Sequence, residues 1–487
     1  MKRVTIDPIT RLEGHGKIEI FLDDEGEVSN AYFQVPELRG FEKFCEGRLA
    51  ERMPMLTERI CGVCPWAHHY ASTKTLDMAF SVEPTDTAKK LRELSYMGYY
   101  IYDHILHFYF LGAPDFVVGP DAPPAERNIF GVINKVGLEI AGEVIKHRAY
   151  GQRMSAMLGG RATHPVCGLP GGISKGLTED ERDTMEKMAR SSVDFAKFSL
   201  KLFNDIVLGN QTYVDLITSD AYTMKTYYMG LVDDNNKVNF YDGKVRVVDP
   251  FGNEFIKFKP EEYLDHIAEH VMPWSYAKFP YLKNIGWKGL VDGSDSGILR
   301  VAPLARLNVS DGMATPLAQA EYERMYEVLG GKPVHHTLAT HWARLIELLY
   351  AAEKAVELVT DEGITDTDIR NMDLGEPGEG VGIVEACRGT LIHHYRLTED
   401  ALIEKANLIV ATVNNMGAIC MSVRDAAKGL IHKGVVNDGL LNMVEMAFRA
   451  YDPCLSCATH TLPGQMPLEI VVKDVKGKPI KRLSQNL

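Results

Sequence analysis

The sequence predicts an α+β protein, predominantly α, and three observations carry that reading. A long central stretch has helical period, the amino end alternates as a β-hairpin, and a β-rich lobe sits between helices. Residues 1–35 alternate apolar and polar through KIEIFL and AYFQV around Asp23-Asp24-Glu25-Gly26, the pattern of a hairpin and its turn. From about residue 40 to 208 the period lengthens. Leu91, Leu94, Met97, Tyr100, Ile101, Ile105 and Phe108 recur at helical spacing within 85–111, and 178–208 is amphipathic again, so both are expected as long core helices. Between about 212 and 258, TYYMGLV, KVNFY, KVRVV and EFIKF alternate with Asn/Asp/Gly turns, expected as a lobe inserted in the helical body. Helices are expected again at 317–330 and 337–359. GEPGEGVG, at 375–382, reads as a glycine-rich loop, followed by a further helical region through residue 433.

A chain of 487 residues buries roughly three quarters of its unfolded surface, so its core needs no disulfides. A net charge of -13 without a Lys/Arg cluster excludes a nucleic-acid partner. No apolar run approaches the roughly 18 residues of a membrane span, and MKRVTIDPITRLEGHG lacks the apolar segment of a secretory signal, so a cytoplasmic protein is expected. GEPGEGVG lacks the lysine of a phosphate-binding loop. Eight cysteines are too sparse for a disulfide scaffold, and their arrangement matters more than their number.

Cys61 and Cys64 lie in RICGVCPWAH, and Cys454 and Cys457 in DPCLSCATH, close to the other end of the chain. Two residues between cysteines let both sulfurs turn toward one metal, and two such pairs make one four-thiolate site. Four soft ligands suit zinc, an iron-sulfur cluster or a thiophilic redox metal such as nickel, and spacing does not choose among them. A structural zinc site has no use for nearby acids and arginines, whereas a site that moves protons and electrons does. Cys45, Cys167 and Cys420 have no paired spacing and read as buried apolar residues.

The two cysteine motifs resemble the paired signatures of the large subunit of nickel-iron hydrogenases. The resemblance runs along most of the chain, through DPITRLEGH at 7–15, Asp103-His104, GGRATHP at 159–165, PLARLN at 303–308 and EACRG at 385–389. A respiratory complex I subunit shares the fold but lacks the four cysteines. The resemblance implies the hydrogenase large-subunit fold and reversible oxidation of dihydrogen to protons and electrons. All four thiolates would bind nickel, with Cys64 and Cys457 also bridging to an iron that carries cyanide and carbon monoxide. Cys454 would accept the proton when dihydrogen splits heterolytically, and Glu13 would relay it outward. Arg388 would stand above the metals, offset by Asp103 and Asp452. Glu42, the backbone of Leu408 and His460 would hold a magnesium ion, His68 would orient the first cysteine loop, and His69, His393 and His394 are expected as structural or surface residues. Cys387 departs from the pattern, since many members carry proline before this arginine.

His164 resembles the residue facing the nearest iron-sulfur cluster of a small subunit. This chain has no cysteine set of its own for such a cluster, so the electrons require an iron-sulfur partner subunit. The motifs look most like the cytoplasmic multisubunit group, and within it the methyl-viologen-reducing hydrogenase of methanogens, whose partners would be heterodisulfide reductase and a further electron-transfer subunit. A nicotinamide- or deazaflavin-linked large subunit is the alternative, and a non-catalytic scaffold built on a four-cysteine zinc site is the reading from a different class. The resemblance divides the chain into a catalytic domain at 1–460 and an extension at 461–487, removed by a maturation protease after His460 once nickel is in place.

Overall fold

The computed structural model describes residues 2–459, 468–473 and 478–485. At the amino end β1 (Lys2–Ile6), β2 (Lys17–Leu22) and β3 (Val28–Gln34) form an antiparallel sheet in that order. The expected hairpin is β2–β3, its turn closed by Asp23, whose carboxylate accepts from Glu27 N–H at 2.8 Å. β1 is an addition: KRVTI is mostly exposed and shows no buried row that alternation could reveal.

Long helices build the centre, the first of them α1 (Pro65–Ala79), α2 (Asp86–Leu106), α3 (Leu138–Gly159) and α4 (Glu179–Phe203). The Thr85 hydroxyl caps α2 by accepting from Ala88 N–H, and a capping box of Thr178 and Glu181 starts α4. α2 and α3 cross with their backbones in contact. A Cβ on Gly98 would stand 2.9 Å from the carbonyl oxygen of Gly151, and one on Gly151 2.7 Å from that of Gly98. This contact fixes α2, whose last turn carries Asp103 and His104. Beyond it the helix widens into π turns at His107–Gly112 and Pro114–Val118.

The inserted lobe starts later than the sequence pattern indicates. Gln211–Thr218 is a helix, α5, because the Asn210 side chain accepts from Thr212 N–H and caps a segment whose β-branched residues read as strand. The lobe proper is β4 (Tyr227–Val232), β5 (Lys244–Val248) and β6 (Glu254–Phe258), completed by a short parallel strand, β7 (Leu299–Arg300), in the order β7-β4-β5-β6. KVNFY contributes only isolated bridges, Val238 to Val232 and Lys237 to Gly312.

The larger departure lies downstream of α6 (Pro303–Val309) and α7 (Thr340–Val359). The expected glycine loop and the start of the helical region are instead a three-stranded sheet, β8 (Glu379–Ala386), β9 (Gly389–Leu397) and β10 (Ile403–Ile409). β8 is buried on both faces after its first residue, so it has no alternation to read. Its glycines are contact points on α1: a Cβ on Gly380 would stand 2.2 Å from Thr75 O, and one on Gly382 2.2 Å from Ala71 O. Helices return as α8 (Met416–Leu430) and α9 (Asp438–Arg449), after which the chain turns inward to the 3₁₀ turn Cys457–Thr459. Beyond it β11 (Leu468–Lys473) and β12 (Pro479–Gln485) pair antiparallel.

Candidate metal centre

Local structure aims the first cysteine pair. A 3₁₀ turn, Glu58–Ile60, delivers Cys61, and Cys64 is the N-cap residue of α1 with Pro65 behind it. The end of a helix with unsatisfied N–H groups favours negative charge, and the Cys61 sulfur accepts from Val63 N–H at 3.2 Å and Cys64 N–H at 3.5 Å. The second pair arrives from the chain's other end. Cys454 forms a parallel bridge with Glu13, and its N–H donates to the Thr412 hydroxyl at 3.1 Å. Asp452 makes the turn into it at φ +56°.

Although 393 positions separate the members of each cross-pair in sequence, Cys61 and Cys454 stand 3.2 Å apart, sulfur to sulfur, as do Cys64 and Cys457. Cys454 and Cys457 are 2.9 Å apart, and all four sulfurs lie within 4.8 Å of one another. All are buried. By themselves the four sulfurs favour one negative charge. Hydrogen bonds from Cys454 and the other two cysteines hold Cys61 well below the usual thiol range, whereas burial pushes Cys454 and Cys457 well above it. Four thiolates can share this pocket only around a cation, so the donor set fits a soft divalent metal.

The surroundings are charged and buried. Glu13 Oε2 lies 3.0 Å from Cys454 Sγ and accepts from Ser456 N–H at 3.0 Å, held in place by Glu13 N–H to Pro453 O and by Leu455 N–H to Glu13 O. The Arg388 guanidinium donates through both Nη atoms to Asp103, at 2.9 and 3.0 Å, and lies 2.8 Å from Asp452. Burial raises the Asp452 carboxyl to about 6 despite the arginine. His68 reaches toward Cys457 of the second pair, Nε2 to Sγ 3.5 Å, not only its own loop, and its Nδ1 is 3.1 Å from His393 Nε2. His393 is fully buried and continues to Tyr395 at 2.6 Å. Glu42 and Leu408 do meet, but through Leu408 N–H, which donates to Glu42 Oε1 at 2.7 Å. Burial pushes the Glu42 carboxyl up to about 7. His460 lies outside the described residues; its neighbour Thr459 accepts from Arg39 N–H at 2.7 Å, three positions from Glu42.

A second buried layer was not singled out from sequence. Arg306 donates to both oxygens of Glu347 at 2.6 and 2.7 Å, to Glu385 at 2.8 Å, and to the carbonyls of Ala386 at 2.8 Å and Cys387 at 3.2 Å. Arg344 also donates to Cys387 O at 3.2 Å and stands 3.6 Å from Asp452, while His104 meets Glu347 at 3.0 Å. Tyr96 and Tyr100 both donate to Glu385 O, at 2.5 and 2.7 Å. The tight β8–β9 turn that carries Arg388 is thus gripped at successive carbonyls. His104, Arg306 and Glu385 lie in motifs quoted above, which assign them no role, and for Arg344 and Glu347 the signal was charge inside an apolar pattern, THWARLIELLY of α7, where both are fully buried.

The profile of the family described as nickel-dependent hydrogenase matches residues 39–128 and 278–460, and a HoxL-like profile matches residues 3–38. The chain belongs to the nickel-dependent hydrogenase family. It is similar to a chain of the F420-non-reducing hydrogenase of Archaeoglobus profundus, at 50% identity covering 99% of each chain. It is 43% identical to a chain of the F420-non-reducing hydrogenase of Methanothermobacter thermautotrophicus, over 99% of this chain and all of the other. A crystal structure of an NAD+-reducing [NiFe]-hydrogenase in the H2-reduced state superposes with a TM-score of 0.89 at 38% identity, covering 94% of this chain and 100% of that one. The fold is therefore that of hydrogenase large subunits, and the enzyme is a nickel-iron hydrogenase, which sets aside the zinc scaffold. Among the described residues, no helix of this hydrogenase is long and apolar enough to cross a membrane.

Proposed function

We propose that this chain is the catalytic subunit of a cytoplasmic hydrogenase of the F420-non-reducing type, oxidising dihydrogen and passing electrons through an iron-sulfur subunit toward heterodisulfide reductase. Higher identity to the F420-non-reducing chains than to the NAD-reducing hydrogenase chain of Cupriavidus necator, 50% against 38%, favours this acceptor over a nicotinamide. Cys61, Cys64, Cys454 and Cys457 would hold nickel, with Cys64 and Cys457 shared with an iron bearing cyanide and carbon monoxide. Bound there, the metals supply the centre at which dihydrogen is split.

The chain's own residues then handle the proton and the charge. Cys454 takes the proton on its sulfur, and Glu13 receives it across 3.0 Å, within reach of direct transfer. Arg388 presents a permanent cation to the pocket, kept from rotating by its two-pronged contact with Asp103 and balanced by Asp452. The apolar shell excludes water, so each of these interactions acts in a low dielectric. Glu42 with Leu408 and His460 would bind magnesium next to the end of the catalytic domain, and His164 would face the partner's nearest cluster. The extension from 461 would be cut away after metal insertion; the family profile ends its match at residue 460.

The contact between Glu13 and Cys454 carries this reading. Glu13→Gln keeps the shape and removes the proton acceptor. In the assembled enzyme it is expected to retain nickel while exchange between D2 and water falls by about 10²-fold or more. Wild-type exchange in a nickel-loaded Glu13→Gln enzyme would refute the relay.

A further inference from the structure

A closed ring of buried charges lies beside the turn that carries Glu13. Arg11 donates to Asp115 at 2.5 Å, to Asn442 Oδ1 at 2.8 Å and to Leu111 O at 3.0 Å. Arg449 donates to the other oxygen of Asp115 at 2.7 Å and to Glu445 at 3.1 Å. Glu445 closes the ring by accepting from Thr10 N–H at 2.8 Å and from the Thr10 hydroxyl at 3.3 Å. The side chains of Arg449 and Asp115 are 0–1% exposed and that of Arg11 12%. Burial would raise the Asp115 carboxyl, yet Arg449 and Arg11 beside it hold it below the usual carboxylate range. Two cations and two carboxylates cancel. An interior ring of ion pairs nevertheless stabilises a fold no better than well-packed apolar side chains, so its presence calls for a positional reason.

The ring pins both segments that meet where the proton is handed over. On one side it holds Thr10 and Arg11, just ahead of Glu13 in the chain. Arg11 sits at φ +60°, a left-handed conformation that is costly for a residue with a Cβ. Gly14 follows at φ +85° with its bare Cα against the second cysteine loop, where a Cβ would stand 2.8 Å from Ser456 N. On the other side the ring holds Arg449, whose carbonyl accepts from Asp452 N–H at 3.0 Å and so sets the turn into Cys454. Asp452 is also left-handed, at φ +56°. Two strained turns, one leading to Glu13 and one to Cys454, thus hang from Asp115, and the bridge between them leaves Glu13 Oε2 3.0 Å from Cys454 Sγ. Direct proton transfer needs a separation of this size.

We infer that Arg11 is a positioning residue for proton transfer: anchored on Asp115 and Asn442, it holds the turn at 10–14 in the shape that keeps Glu13 against Cys454. The inference rests on the proposed relay through Glu13. Arg11 acts through that carboxylate alone, which gives a signature that a general loss of stability lacks.

The test uses the assembled, nickel-loaded complex. D2 exchange with water and the solvent isotope effect on hydrogen-dependent dye reduction report proton transfer, while nickel content and the infrared bands of the iron-bound cyanide and carbon monoxide report the metal pocket. Arg11→Gln is expected to keep nickel and wild-type bands, to slow exchange about tenfold per nickel and to raise the solvent isotope effect. Arg11→Lys, which offers Asp115 a charge without the three-way grip of the guanidinium, should fall between that variant and the wild type. In a Glu13→Gln background Arg11→Gln is expected to add nothing. Exchange in Arg11→Gln within about twofold of wild type would overturn the proposal, as would a further loss on top of Glu13→Gln. Shifted infrared bands, or failure to load nickel, would make the ring a support of the whole pocket and overturn it too. A Glu13→Gln complex that exchanges at the wild-type rate rejects the relay, and the proposal with it. A slowed Glu13→Gln alongside an unaffected Arg11→Gln rejects the role of Arg11 alone.

Discussion

Asp103→Asn is the sharpest test of how Arg388 is held. The aspartate accepts from both Nη atoms, at 2.9 and 3.0 Å, with the two side chains 0–3% exposed. Asparagine keeps one acceptor and turns its NH2 toward the other guanidinium N–H, so one charge-assisted bond is lost and a donor faces a donor. The buried cluster also gains a net positive charge, with Arg388 and Arg344 left to share Asp452. Breaking such a pair costs ~3–5 kcal/mol. At ~2 cal/mol/K per residue, 487 residues give an unfolding entropy near 1 kcal/mol/K, so the melting temperature falls only ~3–5 °C. Turnover is more sensitive, because an angular slip displaces the guanidinium that faces the pocket, and misplacement near 1 Å costs ~10²-fold. Hydrogen-dependent dye reduction, with nickel content and thermal midpoint measured on the same sample, separates the effects. A variant that loads nickel, melts a few degrees lower and still turns over at more than half the wild-type rate would refute the orienting role of Asp103.

Three further outcomes are expected. Gly382→Ala places a Cβ 2.2 Å from Ala71 O and 2.5 Å from Thr75 N, both backbone atoms of α1, so a loss of ~3 kcal/mol or more should appear as a lowered thermal midpoint and poor soluble yield. Burial lowers His104 to about 4, His341 to about 3 and His107 well below its ordinary value. The unfolded chain therefore takes up protons from near pH 6.5 downward while the folded one does not. The stability that these three histidines contribute should be full above about 6.5 and fall toward pH 4 by ~1.4 kcal/mol per pH unit for each; His341→Phe should remove one such contribution, and an unchanged slope in denaturant titrations would count against this assignment. Finally, intact mass of the nickel-loaded chain should correspond to an end at His460, while nickel-free protein retains 461–487; an active enzyme with the full mass would rule out processing.

How much of this was legible depended on whether burial left a one-dimensional signal. The helices α2 and α4 announce themselves because one face is polar. The β8–β9–β10 sheet did not: with both faces of β8 covered, its apolar run has neither period, and Gly380 and Gly382, which exist to touch α1, look like loop residues. The four cysteines, Glu13 and Arg388 were readable from motifs, yet motifs could not show that Leu408 would turn its N–H to Glu42, or that His68 would reach across to Cys457. The roles of Arg306, Glu347 and Arg344 stayed hidden for a physical reason. Their charges neutralise one another through contacts between elements far apart in sequence, and in one dimension each resembles the polar side of an ordinary helix.

The centre is closed by the last segment of the chain, and this orders its assembly. Cys61, Cys64, Arg388 and its partner Asp103 belong to elements outside residues 452–459, whereas Cys454 and Cys457 reach the pocket only when that segment lies between Glu13 and Arg39. Its hold comes from the bridge to Glu13, the Arg39 contact at Thr459, the Thr412 hydroxyl, Ser456 N–H to Glu13, and Asp452 set between Arg388 and Arg344. The four sulfurs meanwhile disfavour one another's charge, so without a cation the closed arrangement works against itself. A metal bound first to Cys61 and Cys64 would reverse that balance and draw the segment in. Deleting residues 461–487 in a metal-free chain should therefore leave Cys454 and Cys457 open to thiol alkylation, and adding nickel to the wild-type precursor should protect them. Protection on deletion alone would show that the extension, rather than the missing cation, keeps the pocket open.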